Sequence, residues 1–97
     1  MTPQQTQQII THLLPYQPTR IGVFGSYARG DNKPDSDLDL LVNFGVPMDL
    51  IKLMNVWDTL EDALGVHIDL VTENALKRSN PRVQESIASD LQVIYEV

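Results

Sequence analysis

Residues 25–42, GSYARGDNKPDSDLDLLV, put a Gly-Ser pair at the end of one apolar run and carry Asp35, Asp37 and Asp39, at every second position, into another. The run before it, RIGVFGS (Arg20–Ser26), reads as a buried strand closed by Gly25, and DLDLLVNF (Asp37–Phe44) reads as a second strand. Alternate residues of a strand point to opposite faces. Leu38 and Leu40 therefore turn to the core, while Asp37 and Asp39 share the other side, roughly 6.5–7 Å apart. Two carboxylates at that spacing repel by about 2–3 kcal/mol at an effective dielectric of about 20. Either they lie on an open face or a cation holds them. Taken alone, DLDL is better explained as an ordinary half-exposed strand.

Outward from this stretch the remaining elements follow. TPQQTQQIITHLL predicts a helix capped by Thr2, with Pro3 in its first turn and Gln5 completing a capping box; Ile9, Ile10, Leu13 and Leu14 form its apolar stripe, and Pro15 and Pro18 end it. YARG has room for a helical turn, and DNKP is loop. A longer helix is expected from about Met48 to Leu64, with Leu50, Leu53, Met54, Trp57, Leu60 and Leu64 on its apolar face and Gly65 as its stop. VHIDLVT (Val66–Thr72) reads as a third strand and NALKR as a short helix. Asn80 caps a last helix with Pro81 at its first position, and LQVIYEV (Leu91–Val97) reads as a fourth strand. The order α-β-β-α-β-α-β predicts an α/β (α+β) fold: a single mixed sheet of about four strands with helices packed against it, in one domain spanning residues 1–97.

The Gly-Ser turn changes the meaning of the aspartates. A glycine allows close backbone approach to a ligand, and a helix start offers unpaired N–H donors to an anion. An anion-binding turn one loop from a carboxylate pair suits Mg²⁺ carrying a nucleoside triphosphate, because Mg²⁺ takes hard oxygen ligands from one or two carboxylates and from phosphate. Asp69, set between Ile68 and Leu70 in HIDLV, adds a third acid if its strand lies beside Asp37–Phe44; three carboxylates suffice for two metal ions about 3.5–4 Å apart. Rival motifs fail. Gly25 and Gly30 have phosphate-loop spacing, but Asp31-Asn32 stands where Lys-Ser/Thr is required; no G-x-G-x-x-G occurs; an EF-hand from Asp35 would need glycine and glutamate where Leu40 and Val46 stand.

Bulk properties narrow the class. A net charge of −6 with seven Lys and Arg argues against direct nucleic-acid binding and against an anionic membrane surface. The absence of cysteine, of a signal-peptide pattern in MTPQQTQQ and of a long apolar run leads to the expectation of a cytoplasmic protein.

The unit GS…DLD (Gly25-Ser26, then Asp37-Leu38-Asp39) resembles the G-S-x(n)-D-x-D hallmark of the DNA polymerase β-like nucleotidyltransferase superfamily. GSYARGD…SDLDLLV is similar to its minimal nucleotidyltransferase (MNT) branch, the antitoxins of HEPN/MNT toxin–antitoxin pairs, and the likeness runs from the first strand through LGVHIDLVTENAL. The resemblance implies the polymerase β-like fold. It implies Asp37, Asp39 and Asp69 as ligands of Mg²⁺, two ions in all, with Asp69 also assisting deprotonation of the acceptor. Gly25 and Ser26 would hold the triphosphate, Arg29 would meet a phosphate, and Ser36 would brace the loop or touch the nucleotide. The activity implied is transfer of AMP from ATP to a tyrosine of a HEPN-domain RNase toxin, which silences the toxin. The chain reaches Val97 without a further acceptor-binding domain, so the partner is expected to present the acceptor. Two other readings stand beside this one: an antitoxin that neutralises by occlusion without catalysis, and a nucleotidyltransferase acting on a small molecule. Bland roles are expected for Asp35, Asp31 and Lys33 in the loop, for Tyr27 and Trp57 as packing residues, and for His67, which shares a strand face with Asp69.

Overall fold

Thr2 opens the first helix as the sequence requires: its hydroxyl accepts from the Gln5 N–H, and the Gln5 side chain accepts from the Thr2 N–H. In the computed structural model, which describes residues 1–97, this helix α1 spans Pro3–Leu13 and runs through a 3₁₀ turn at Leu14–Tyr16. Then follow β1 (Pro18–Phe24), α2 (Gly25–Arg29), β2 (Leu38–Phe44), α3 (Leu50–Leu64), β3 (Ile68–Thr72), α4 (Glu73–Lys77), α5 (Pro81–Asp90) and β4 (Gln92–Glu96). No helix is long and apolar enough to cross a membrane.

The strands form one sheet in the order β3-β2-β1-β4, with β1 antiparallel to both β2 and β4, and β2 parallel to β3. The sheet is therefore mixed, as expected. Antiparallel β1–β2 needs only the short α2 and its loop as a connection, whereas parallel β2–β3 needs the crossover that α3 supplies. Asp49 caps α3 by accepting from the Lys52 N–H, and Gly65 ends it in the left-handed region at φ +69°.

The two faces of the sheet carry unequal loads. On one face α1 and α3 bury Ile9, Leu13, Val56 and Leu60 against Ile21, Val23, Leu38, Leu40, Val42, Ile68 and Leu70. On the other, α5 covers a small cluster of Phe24, Leu41 and Ile87, with Val71, Leu76 and Leu91 packed around it. This second face carries the odd-numbered side chains of β2, and with them the aspartates.

Several boundaries differ from the expectation. β1 begins at Pro18 and ends at Phe24, because Gly25 and Ser26 already belong to α2. Asp37 precedes β2; the ladder to β3 begins where the Leu38 N–H donates to the His67 carbonyl. The apolar face of α3 is also rotated. Leu50 and Met54 are 70% and 54% exposed, while Val56, outside the expected stripe, is buried with Leu60. The apolar residues of the first turns of α3 stay largely in solvent, so helical spacing alone could not tell which of them find a partner. Leu14, in the 3₁₀ turn after α1, is likewise exposed, while Ile9 and Leu13 are fully buried. Leu60→Ala is expected to cost about 2–4 kcal/mol in denaturant unfolding, and Leu50→Ala under about 0.5 kcal/mol. Equal losses would contradict this orientation of α3.

Candidate active site

Register decides the site. Phe24 of β1 pairs with Asp39 of β2, and Asp39 pairs with Asp69 of β3. Partners across a sheet point to the same face, so Phe24, Asp39 and Asp69 form a row on the α5 side. Asp37 lies two residues before Asp39 on that side, and the Gly25-Ser26 turn follows Phe24 directly. The structure thus brings Gly25, Ser26, Asp37, Asp39 and Asp69 to one end of the sheet. Asp37 and Asp69 are exposed and Asp39 is half-buried.

Gly25 touches the row itself. Its φ of +72° lies in the left-handed region, and a Cβ placed there would overlap the Asp39 Oδ2. Any side chain would be strained by the backbone and would collide with the carboxylate. Ser26 follows in the first turn of α2, where Phe24 provides no side-chain cap, so this turn's N–H groups have no side-chain acceptor.

Burial, then the charges of Asp69 and Asp37, raise the Asp39 pKa from the ordinary 3.8 to about 6, and Arg29 opposes the shift. The donor set is all carboxylate oxygen, which fits a hard divalent cation such as Mg²⁺. Like charges repel, and no three His, Cys, Asp or Glu side chains are gathered tightly enough to form a metal-ligating cluster. The carboxylates are electrostatic neighbours rather than a closed cage.

Arg29 is engaged with protein partners. Its Nε donates to Asp31 at 3.2 Å and its NH1 to Asp90 at 2.7 Å, and the hydrogen bonds to Asp31 and Asp90 hold its pKa above the usual range. Ser36 braces its loop: its Oγ accepts from the Lys33 N–H at 2.8 Å. Ser36 and Asp35 line a cleft toward the end of α3 with Glu61 and His67, separate from the one that Asp69 lines. Tyr27 is buried, and the Trp57 indole donates to the Ile68 carbonyl, so both pack as expected. His67 is exposed and lies 3.7 Å from Glu61.

Sequence reasoning did not find the α5 side of the site. A cleft of about 390 Å³ opens between the row and α5, lined by Phe24, Asp69 and Val71 below and by Arg82, Val83, Ser86 and Ile87 above. Nothing in PRVQESIAS announces this, because the helix is brought there only by its packing on Phe24 and Leu41.

A nucleotidyltransferase-domain model matches residues 5–94. Among curated relatives, the chain is 42% identical over 76 residues to one from Methanocaldococcus jannaschii named "Putative protein adenylyltransferase MJ1217", covering 78% of this chain and 76% of the relative. Among solved structures, one described as a "putative minimal nucleotidyltransferase" superposes with a TM-score of 0.74 at 31% identity, covering 92% of this chain and 88% of that one. A chain from the complex of a tri-AMPylated Shewanella oneidensis HEPN toxin with MNT antitoxin superposes with a TM-score of 0.74 over all of this chain and 74% of its own; at 21% identity it shares the fold.

The raised Asp39 pKa has a consequence for stability. The unfolded carboxyl ionises near 3.8, while the folded one keeps its proton to about 6. Between those values the folded state binds more protons, so stability falls as pH rises through the window and stays reduced above it. Asp39→Asn should therefore raise stability by about 1 kcal/mol at pH 8, the full shift being discounted for solvent screening, and by nothing below about pH 4. A thermal melt should show a gain of roughly 4–8 °C at the higher pH; a gain independent of pH would refute the electrostatic origin. Gly25→Ala should destabilise by about 1–3 kcal/mol. Adding Asp39→Ala should return the steric part, and strict additivity in that double-mutant cycle would deny the contact.

Proposed function

The chain belongs to the nucleotidyltransferase-domain family, and from that premise we propose that it is the antitoxin of a HEPN-type pair, transferring AMP from ATP to a tyrosine of its RNase toxin. What supports the reading is the register that sets a strained glycine turn against Asp39 and sets Asp39 beside Asp69. Phosphate-binding and cation-binding functions then share one sheet end. The name that the Methanocaldococcus relative carries and the AMPylated toxin in the Shewanella complex favour a protein acceptor.

In this reading Asp37, Asp39 and Asp69 would hold Mg²⁺. When bound, the cation supplies charge neutralisation and Lewis-acid polarisation at the α-phosphate. The backbone of Gly25 and Ser26 would hold the triphosphate, with the Ser26 hydroxyl as a further donor. Arg29 would reach phosphate with the part of its guanidinium that Asp31 and Asp90 do not use, and Ser36 would keep the loop before Asp37 in shape. Asp69 would take the proton of the attacking tyrosine hydroxyl. The phenol oxygen bonds to the α-phosphorus, the bond to the bridging oxygen breaks, and pyrophosphate leaves. Positioning and charge stabilisation supply most of the acceleration in such transfers.

The test is the intact mass of a HEPN-domain protein from the same genome, after incubation with the chain, Mg²⁺ and ATP. A gain of one or more AMP units is expected, and Asp37→Asn with Asp39→Asn should reduce it by at least about a thousandfold while the protein stays folded. A stable complex that blocks the RNase with no mass gain would replace this reading with occlusion.

A further inference from the structure

The cleft beneath α5 has a shape and a chemistry that the roles above do not use. Its inner lining, the floor, is apolar, with Phe24 and Val71 from the sheet and Ile87 from α5, and its polar lining, the mouth, is Asp69 from the sheet with Arg82 and Ser86 from α5. Arg82 takes part in none of the protein's ion pairs, so its guanidinium is uncommitted. The cleft is about 390 Å³, enough for one aromatic ring and the chain that carries it.

We propose that this cleft is the acceptor subsite, and that it receives the phenol ring of a tyrosine presented by the partner protein. The inference rests on the function proposed above and assigns the acceptor's place within it. Direction is the first reason. In phosphoryl transfer the attacking and leaving oxygens lie roughly in line across the phosphorus. The Gly25-Ser26 turn, which would hold the leaving pyrophosphate, follows β1. Asp69 lies on β3, on the far side of β2 from that turn. A hydroxyl entering along the wall that Asp69 forms therefore comes from the β3 side, across β2 from the turn, beside the carboxylate that would take its proton.

Chemistry is the second reason. The apolar floor suits the body of an aromatic ring, and a guanidinium at the mouth favours the ring's face. A serine or threonine hydroxyl would leave that floor uncovered. An adenine that turned its polar edge to Phe24, Val71 and Ile87 would leave it unpaired, at a cost of about 1–3 kcal/mol per group.

Val83 stands on the α5 wall and is 47% exposed, so a larger ring fits there without overpacking the core. In the full chain, Val83→Trp should block the cleft and Arg82→Ala should weaken its mouth. With the HEPN partner as acceptor, Val83→Trp is expected to raise the KM for the partner about tenfold or more, and Arg82→Ala by about threefold to tenfold. Calorimetric affinity for AMP-PNP with Mg²⁺ should stay within about twofold of the wild type, since neither residue would touch nucleotide. A large loss of AMP-PNP affinity in Val83→Trp would give the cleft to the nucleotide base and overturn the proposal. Unchanged kinetics in both variants would overturn it as well. Should Val83→Trp melt early, the surface variant Arg82→Ala decides by the same two readouts. Transfer by the wild type with unimpaired variants refutes the subsite alone, whereas a wild type that transfers nothing removes the proposed function and the subsite with it.

Discussion

The backbone of Gly25 lies against the carboxylate of Asp39, and the functional end of the sheet is organised around that contact. It exists because Phe24 and Asp39 are partners in an antiparallel ladder, so that the chain leaving β1 must pass the acid at the start of β2. Only a residue without a side chain can make the pass at φ +72°. The same register fixes what lies beyond Asp39, because its parallel partner is Asp69. A slip of one residue between β1 and β2 would turn Leu38 and Leu40 outward and bury the acids. The tightly packed face with α1 and α3 forbids this: Leu38, Leu40 and Val42 are almost wholly inaccessible there. The hydrophobic core thus specifies the geometry of the charged face on its other side.

That charged face is held less firmly. Its apolar cover is a small cluster around Phe24, Leu41 and Ile87, against a much larger core opposite. Polar links make up part of the difference. Arg29 joins α2 to Asp90 at the end of α5, and the Gln92 side chain donates to the Ala28 carbonyl at 2.8 Å. Both links tie the Gly-Ser turn to the α5–β4 junction. Elements held by few apolar contacts and by exposed polar ones open at lower free energy than a core does. In the function proposed above, nucleotide and protein acceptor would enter beneath such a cover.

The row sets folding against the role proposed for it. Asp39 is half-buried beside two other acids, which disfavours its charged form, whereas the proposed hold on a divalent cation would require that form. Groups placed against their own stability in this way are common at functional sites. The arrangement is tolerable because Asp37 and Asp69 remain in solvent and Arg29 lies within electrostatic reach.

Much of this was legible in the sequence. The caps at Thr2 and Asn80, the stop at Gly65, the four strands, the turn at Gly25-Ser26 and the acids Asp37, Asp39 and Asp69 are written in local patterns. Capping, turn formation and strand alternation act over a few residues, so neighbours in the chain carry the information. Three things lay outside that range. The apolar face of α3 could not be oriented, since Leu50, Met54 and Val56 are equally apolar and differ only in what the sheet offers them. Arg29 could not be assigned to Asp90, which lies 61 residues away. The α5 wall of the cleft, with Arg82 and Ser86, has no motif of its own. Sequence by itself determined the elements and which side chains the candidate site would offer, because those follow from short-range pattern. Tertiary structure alone decided that Asp39 and Asp69 stand side by side and that α5 roofs them, because strand register and helix docking are set by burial summed over the whole core.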